Sequence, residues 1–151
     1  MTVHFAVPGP LEQRTGGYLY DREMVHGLRA MGHDLHVHEM AGAFPLPDDA
    51  ARQSARRILA RLESGGCLVI DGLALPAFTD ALPRRPRRDS VVGLIHHPLA
   101  LETGLTAAAA RQLDALERRA LAQLDGVICT SESTRQALVG RGYDGARVRV
   151  V

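Results

Sequence analysis

The chain has 151 residues, 46% of them apolar and 23% charged, with 15 Gly and 8 Pro. That length suits one domain burying roughly 70% of its unfolded surface, and the fractions exclude disordered, collagen-like and coiled-coil classes. A net charge of +1, from 18 basic and 17 acidic residues, excludes a strongly basic nucleic-acid clamp, so no nucleic-acid partner is expected.

All the basic residues are Arg and none is Lys, which reads as a GC-rich coding bias rather than selection for phosphate binding. The longest apolar runs are short, and none approaches the roughly 20 residues of a membrane-spanning helix. Met1 leads straight into Val3–Val7 without a basic segment or cleavage site, so the expected compartment is the cytoplasm. Cys67 and Cys129 each sit in an apolar stretch and are expected as buried free thiols, with a disulfide or redox pair as the alternative.

In chain order, Val3–Val7 reads as a strand stopped by Pro8-Gly9-Pro10. Gly17 to Met31 reads as a helix with Leu19, Val25, Leu28 and Met31 on its apolar face and Gly32 just beyond its end. Leu35–His38 is a second strand, and Ala41–Asp48 a loop. Asp48 or Asp49 caps a helix over Ala50–Glu63 that ends at Ser64-Gly65-Gly66. Cys67–Ile70 is a third strand, and a short helix lies around Pro76–Leu82. After the tract Arg84–Arg88 comes a fourth strand, Val91–Ile95. Thr106 caps a long helix to Leu124, Gly126–Cys129 is strand five, Ser131–Val139 a helix, and Arg147–Val151 strand six. Short, continuously apolar strands alternating with helices predict an α/β fold: a doubly wound, mostly parallel Rossmann-like sheet of about six strands with helices on both faces. The chain stops on Val151 at the end of a strand, so it is expected to be a piece of a longer protein.

Such sheets bind ligands beyond the carboxyl ends of their strands. That rule selects the loops Pro8–Gly17, Glu39–Asp48, Asp71–Leu73, His96–Thr106 and Thr130–Glu132. The first loop has no GxGxxG fingerprint and, without Lys, no P-loop, which disfavours a nicotinamide reductase. Gly16-Gly17 either offer bare N–H groups to a phosphate or carboxylate at a helix N-terminus or merely permit a tight turn. Arg14 either adds a bidentate phosphate contact or is solvated.

His96-His97 ends a strand, so the two rings are expected to point to opposite sides, one toward the cleft and one toward the packing layer. Glu102 and Thr103 could supply further polar contacts there. His33, His36 and His38 form a second group, in which His36 and His38 share a strand face, but no third ligand follows at metal-binding spacing. Ser131 and Ser133 lack a nucleophile elbow, and Thr130-Ser131-Glu132-Ser133 more simply caps the following helix. Arg84, Arg85, Arg87 and Arg88 could touch anionic lipid or nucleic acid, or form a solvated loop.

Five segments taken in order resemble the N-terminal domain of GT-B glycosyltransferases, especially glycosyltransferase family 4. They are Thr15-Gly16-Gly17-Tyr18, the run Leu28-Arg29-Ala30-Met31-Gly32-His33-Asp34, Leu94-Ile95-His96-His97-Pro98, Asp125–Ser133, and Arg147–Val151. The resemblance implies the acceptor-side half of a retaining, hexosyl-type transferase, of the kind found in bacteria. Such an enzyme moves a sugar from a nucleotide-sugar donor to a small acceptor or lipid-linked glycan. It implies a C-terminal donor-binding domain bearing an E-x7-E motif. This sequence has no such motif, so the chain alone is expected to be inactive. No cofactor or obligatory metal is implied. By position, Gly16 and Gly17 would lie against the donor diphosphate or the acceptor, and His96 would be the cleft histidine that meets the transferred sugar. With the loop argument, the resemblance makes His96 the candidate catalytic residue. Arg14, Thr15, Gly16, Gly17, Asp71, His97, Glu102, Thr130 and Ser131 are the candidate substrate contacts. The location implied is cytoplasmic, with peripheral contact to the inner membrane face through Arg84–Arg88. The competing reading is a stand-alone module for a nucleotide or anionic metabolite, or a partner subunit.

Overall fold

The computed structural model describes residues 2–13, 16–62, 65–84 and 89–151. The elements in order are β1 (Thr2–Pro8), α1 (Gly16–Ala30), β2 (Asp34–Met40), α2 (Asp49–Ala60), β3 (Cys67–Asp71) and α3 (Leu75–Phe78). They continue with β4 (Ser90–Ile95), α4 (Ala107–Leu121), β5 (Gly126–Cys129), α5 (Glu132–Gly140) and β6 (Val148–Val150). Short 3₁₀ turns lie at Leu82–Arg84, Leu99–Leu101 and Gly145–Arg147.

The six strands form one all-parallel sheet in the order β2-β1-β3-β4-β5-β6. Parallel strands covered on both faces need no polar alternation, which is why the inner strands are continuously apolar. On one face α1 packs Val25 against Val3, Phe5, Val7, Leu35, Val69 and Leu94. On the other, Ala51, Ala55, Ile58, Phe78, Leu121 and Leu138 cover Ala6, Leu68, Ile70, Val91, Ile95, Val127 and Cys129. The sheet is thus doubly wound but unevenly clothed, with α1 on one side and residues of α2 to α5 on the other. The chain steps from β1 outward to β2 and then back across to β3, so its direction reverses between β1 and β3. One strand lies beyond β1, the flavodoxin-like order, rather than the two of the dinucleotide-binding sheet.

Local chemistry sets the helix ends. Asp48 Oδ1 accepts from Ala51 N at 2.8 Å, Thr106 Oγ1 from Ala109 N at 3.1 Å and Ser131 Oγ from Thr134 N at 3.1 Å. Gly32 takes φ +80° just beyond α1, as expected of a residue ending a helix.

Several expected boundaries shift. α2 stops at Ala60 rather than Glu63, α4 at Leu121 rather than Leu124, and α3 is shorter than Pro76–Leu82. Ser131 is the cap of α5 rather than its first residue, and Arg147 belongs to a 3₁₀ turn before β6. The larger correction concerns α1. Leu19 and Met31, expected on its apolar face, are 49% and 73% exposed. The buried stripe is Tyr18, Asp21 and Val25, with half-buried Leu28 continuing it. Both cysteines are free, Cys129 buried and Cys67 half-buried. Residues 1, 14, 15, 63, 64 and 85–88 lie outside the described set, so the expectations for Arg14, Thr15 and most of the arginine tract fall there. No helix of the described residues is long and apolar enough to cross a membrane.

Among the described glycines, the closest approach lies in the loop before α2. Gly42 has φ +115°, and a Cβ there would stand 2.4 Å from Ala51 N and 2.5 Å from the capping Asp48 Oδ1. Gly42→Ala should therefore combine left-handed strain with loss of the cap and destabilise the fold by about 2 kcal/mol or more. Urea unfolding reads this directly, and an unchanged midpoint would show that the loop relaxes without cost.

Candidate functional site

Where the strand order reverses, the loops after β1 and β3 part and leave a crevice at the carboxyl ends of the strands. A cleft of about 190 Å³ lies there, lined by Gly17, Tyr18 and Asp21 from α1, Asp71 from β3 and the two residues after it, and His96, His97, Leu99 and Glu102 after β4. Three of these side chains meet at its floor. His96 Nε2 lies 3.3 Å from Asp21 Oδ1 and 3.3 Å from Asp71 Oδ2, and both carboxylates are almost fully buried. Asp71 Oδ1 also accepts from Leu73 N at 2.8 Å, which turns the chain at the end of β3.

The electrostatics follow from this geometry. Burial by itself lowers the His96 pKa, but hydrogen bonds and charge from Asp21 and Asp71 outweigh it and raise the pKa to about 9. Burial raises Asp21 to about 6, opposed by the His96 hydrogen bond and reinforced by Asp71. Tyr20 stands edge-on to the imidazole, with ring centroids 5.5 Å apart. These carboxylates and the imidazole are the one group of potential metal donors found among the described residues, all within 4.8 Å of one another. The same atoms lie within hydrogen-bond distance of one another, the imidazole nitrogen between the two carboxylates.

Gly16 and Gly17 are the first residues of α1 and neither has positive φ, so a tight turn is not what they provide. A Cβ on Gly17 would stand 3.5 Å from His96 Cδ2 and Nε2, and a Cβ on Gly16 would meet nothing within 4 Å. The bareness of Gly17 keeps the space beside the imidazole open. The first turn of α1 holds no acidic residue, although the charges of Asp71 and Asp21 reach Tyr18 within it.

The expectation that one of the His96 and His97 rings would face a packing layer does not hold. β4 ends at Ile95, strand alternation ends with it, and both histidines line the cleft. His97 Nε2 pairs with Glu102 Oε1 at 2.8 Å on the rim. Thr130 and Ser131 do not line the cleft. Thr130 Oγ1 is 3.5 Å from the His96 carbonyl oxygen, and Ser131 accepts from Thr134, whose Oγ1 donates to that same carbonyl at 2.7 Å. They hold the histidine's backbone from behind.

Asp21 was not among the expected site residues. The signal lay in its register: spacings of three, four and three link Tyr18, Asp21, Val25 and Leu28, placing a carboxylate inside the apolar stripe. The other histidine group gains a member that sequence spacing hid. His4 of β1 stacks on both His36 and His38, and its Nδ1 lies 2.9 Å from His38 Nε2. Burial, helped by His4, His36 and Arg61, lowers His38 to about 4.

With this cleft at the reversal of strand order, residues 19–151 match the sequence profile of Glycosyltransferase Family 4. The chain belongs to that family. No curated protein matches it at a significant level. Membership makes this a glycosyltransferase domain.

One wall of the family 4 cleft is anchored from behind. Glu117 of α4 is buried and accepts from the Leu99 N–H with both oxygens, at 3.2 and 3.3 Å. Burial raises its pKa to about 7, against the opposing hydrogen bond from Leu99. The folded chain therefore holds this proton more tightly than the unfolded chain, whose Glu titrates near 4.5. The associated stability is complete below about pH 4.5 and is lost as pH rises through about 7. Glu117→Gln keeps an acceptor for Leu99 and removes the ionisation. Its denaturant stability should be flatter than the parent's between about pH 5 and 8 and higher near pH 8. A parent-like decline across that range would refute the assignment.

Proposed function

We propose that this domain is the acceptor-side, N-terminal half of a two-domain GT-B enzyme that transfers a hexosyl group, with retention, from a nucleotide-sugar to an acceptor hydroxyl. The observation that carries the reading is His96, held at the switch-point cleft beside the open N-terminal turn of α1. Leaving-group departure in such a transfer builds negative charge on a diphosphate and positive charge at the sugar carbon. The bare N–H groups of Gly16 and Gly17 meet the first need. His96 then faces the transferred sugar, His97 and Glu102 border it, and Asp71 acts through His96. Arg14 and Thr15, which immediately precede α1 in sequence, are further proposed substrate contacts, while Thr130 and Ser131 support the histidine backbone.

At about 190 Å³ the cleft is smaller than the roughly 300–1,000 Å³ of sites that enclose a drug-sized ligand. It suits a sugar or phosphate portion rather than a whole nucleotide-sugar. A second domain closing over it would supply the rest and exclude water, limiting hydrolysis. On this reading the chain alone is inactive and the reaction needs no obligatory metal. The enzyme works in the cytoplasm, with Arg84, Arg85, Arg87 and Arg88 as the charge available for an anionic membrane face.

In the intact enzyme, His96→Ala should lower kcat/KM by about 10² or more against a panel of nucleotide-sugars; near-normal transfer would remove His96 from the reaction. Gly17→Ala, whose Cβ has ordinary van der Waals room, should fold like the parent yet weaken donor binding at least about tenfold by filling the space beside His96. Calorimetry of the chain alone against the same panel separates the two-domain reading from a stand-alone module. The former expects weak binding, and the latter expects micromolar affinity.

A further inference from the structure

The two carboxylates on His96 converge on a single ring nitrogen. With both aspartates ionised, a bare Nε2 would set a lone pair against two carboxylate oxygens, so the geometry calls for a proton there. Nδ1 is the other nitrogen, and it has no hydrogen-bond partner among the described residues. Two almost fully buried carboxylates also need a positive counterpart. No described arginine pairs with either of them, and the imidazole is the one basic group that does.

We propose that Asp21 and Asp71 hold His96 as a fixed imidazolium, so that the ring offers the cleft an Nδ1–H donor and not a lone pair, and that Asp21 is a positioning residue of the site. The inference rests on the transferase reading for its catalytic meaning, but not for its physical content. An imidazolium cannot accept a proton from an acceptor hydroxyl. It donates a hydrogen bond to an oxygen of the sugar or of the departing diphosphate. Asp21 then acts only through His96, by setting its charge and its angle.

The groups facing the ring are Asp21, Tyr18 and Tyr20 from α1, Asp71 from β3, and His97 with Glu102 from the segment after β4. Of these only the two aspartates contact Nε2. The raised His96 pKa, near 9, has the direction this arrangement demands. Burial holds the Asp21 carboxyl up at about 6, above the usual carboxylate range.

The test is a long-range ¹H–¹⁵N spectrum of the ¹⁵N-labelled chain, titrated from about pH 5.5 to 10, with His96 assigned by its loss in His96→Gln. Both His96 nitrogens should keep protonated-imidazole shifts through pH 8, with a midpoint near 9. Asp21→Asn and Asp71→Asn should each lower that midpoint by about one unit or more, a tenfold change in proton affinity. A parent midpoint at 7 or below overturns the proposal, as does a midpoint that neither substitution moves. If a variant does not fold, the parent titration alone decides. No sugar enters this measurement, so its failure leaves the transferase reading standing, and failed transfer by the intact enzyme leaves the imidazolium standing.

Discussion

Two carboxylates withdrawn from water and one imidazole between them tie together three segments far apart in sequence: the second turn of α1, the end of β3 and the residue after β4. Removing one carboxylate's partner from such a cluster would leave a buried charge uncompensated, which costs far more than a surface ion pair is worth. The arrangement therefore constrains its surroundings. α1 must begin where it does, with Asp21 turned inward. β3 must end on an aspartate, and β4 must end one residue before its histidine. The sheet supplies those positions because parallel neighbours β3 and β4 are in register, with Asp71 opposite Leu94.

Much of the fold was legible because parallel strands advertise themselves. Cys67–Ile70, Val91–Ile95 and Gly126–Cys129 are short apolar runs bounded by turn residues or charge, and each is a strand. Caps were readable for the same local reason: Asp48 and Thr106 are short acceptors immediately before helical runs. Helix ends were less legible. Leu124 is nearly as buried as any core residue, so apolar periodicity runs on past Leu121, where α4 itself stops.

The site was legible in part. His96 and the open glycines announced themselves through chain position, and Asp71 by ending a strand. Asp21 did not, because a periodicity argument that counts apolar residues passes over a carboxylate in the buried stripe and settles on Leu19 and Met31 instead. Glu117 was hidden likewise, since its partner is a backbone N–H of Leu99, 18 residues away and invisible to side-chain patterns. His4 joins His36 and His38 only through the β1–β2 register, which pairs His4 with His36. In each case the missing information was tertiary: which polar group the fold would choose to bury, and against what.

The hydrogen bond from Thr134 Oγ1 to the His96 carbonyl has a consequence of its own. The first turn of α5 grips the histidine's main chain while α1 and β3 grip its ring, so the residue is restrained at both ends. A ligand reaching the cleft meets an imidazole whose rotational freedom was surrendered when the chain folded, and little entropy remains to be lost on encounter. Recognition at this point should be stiff and geometrically choosy, with adaptability left to the more exposed His97–Glu102 pair at the rim.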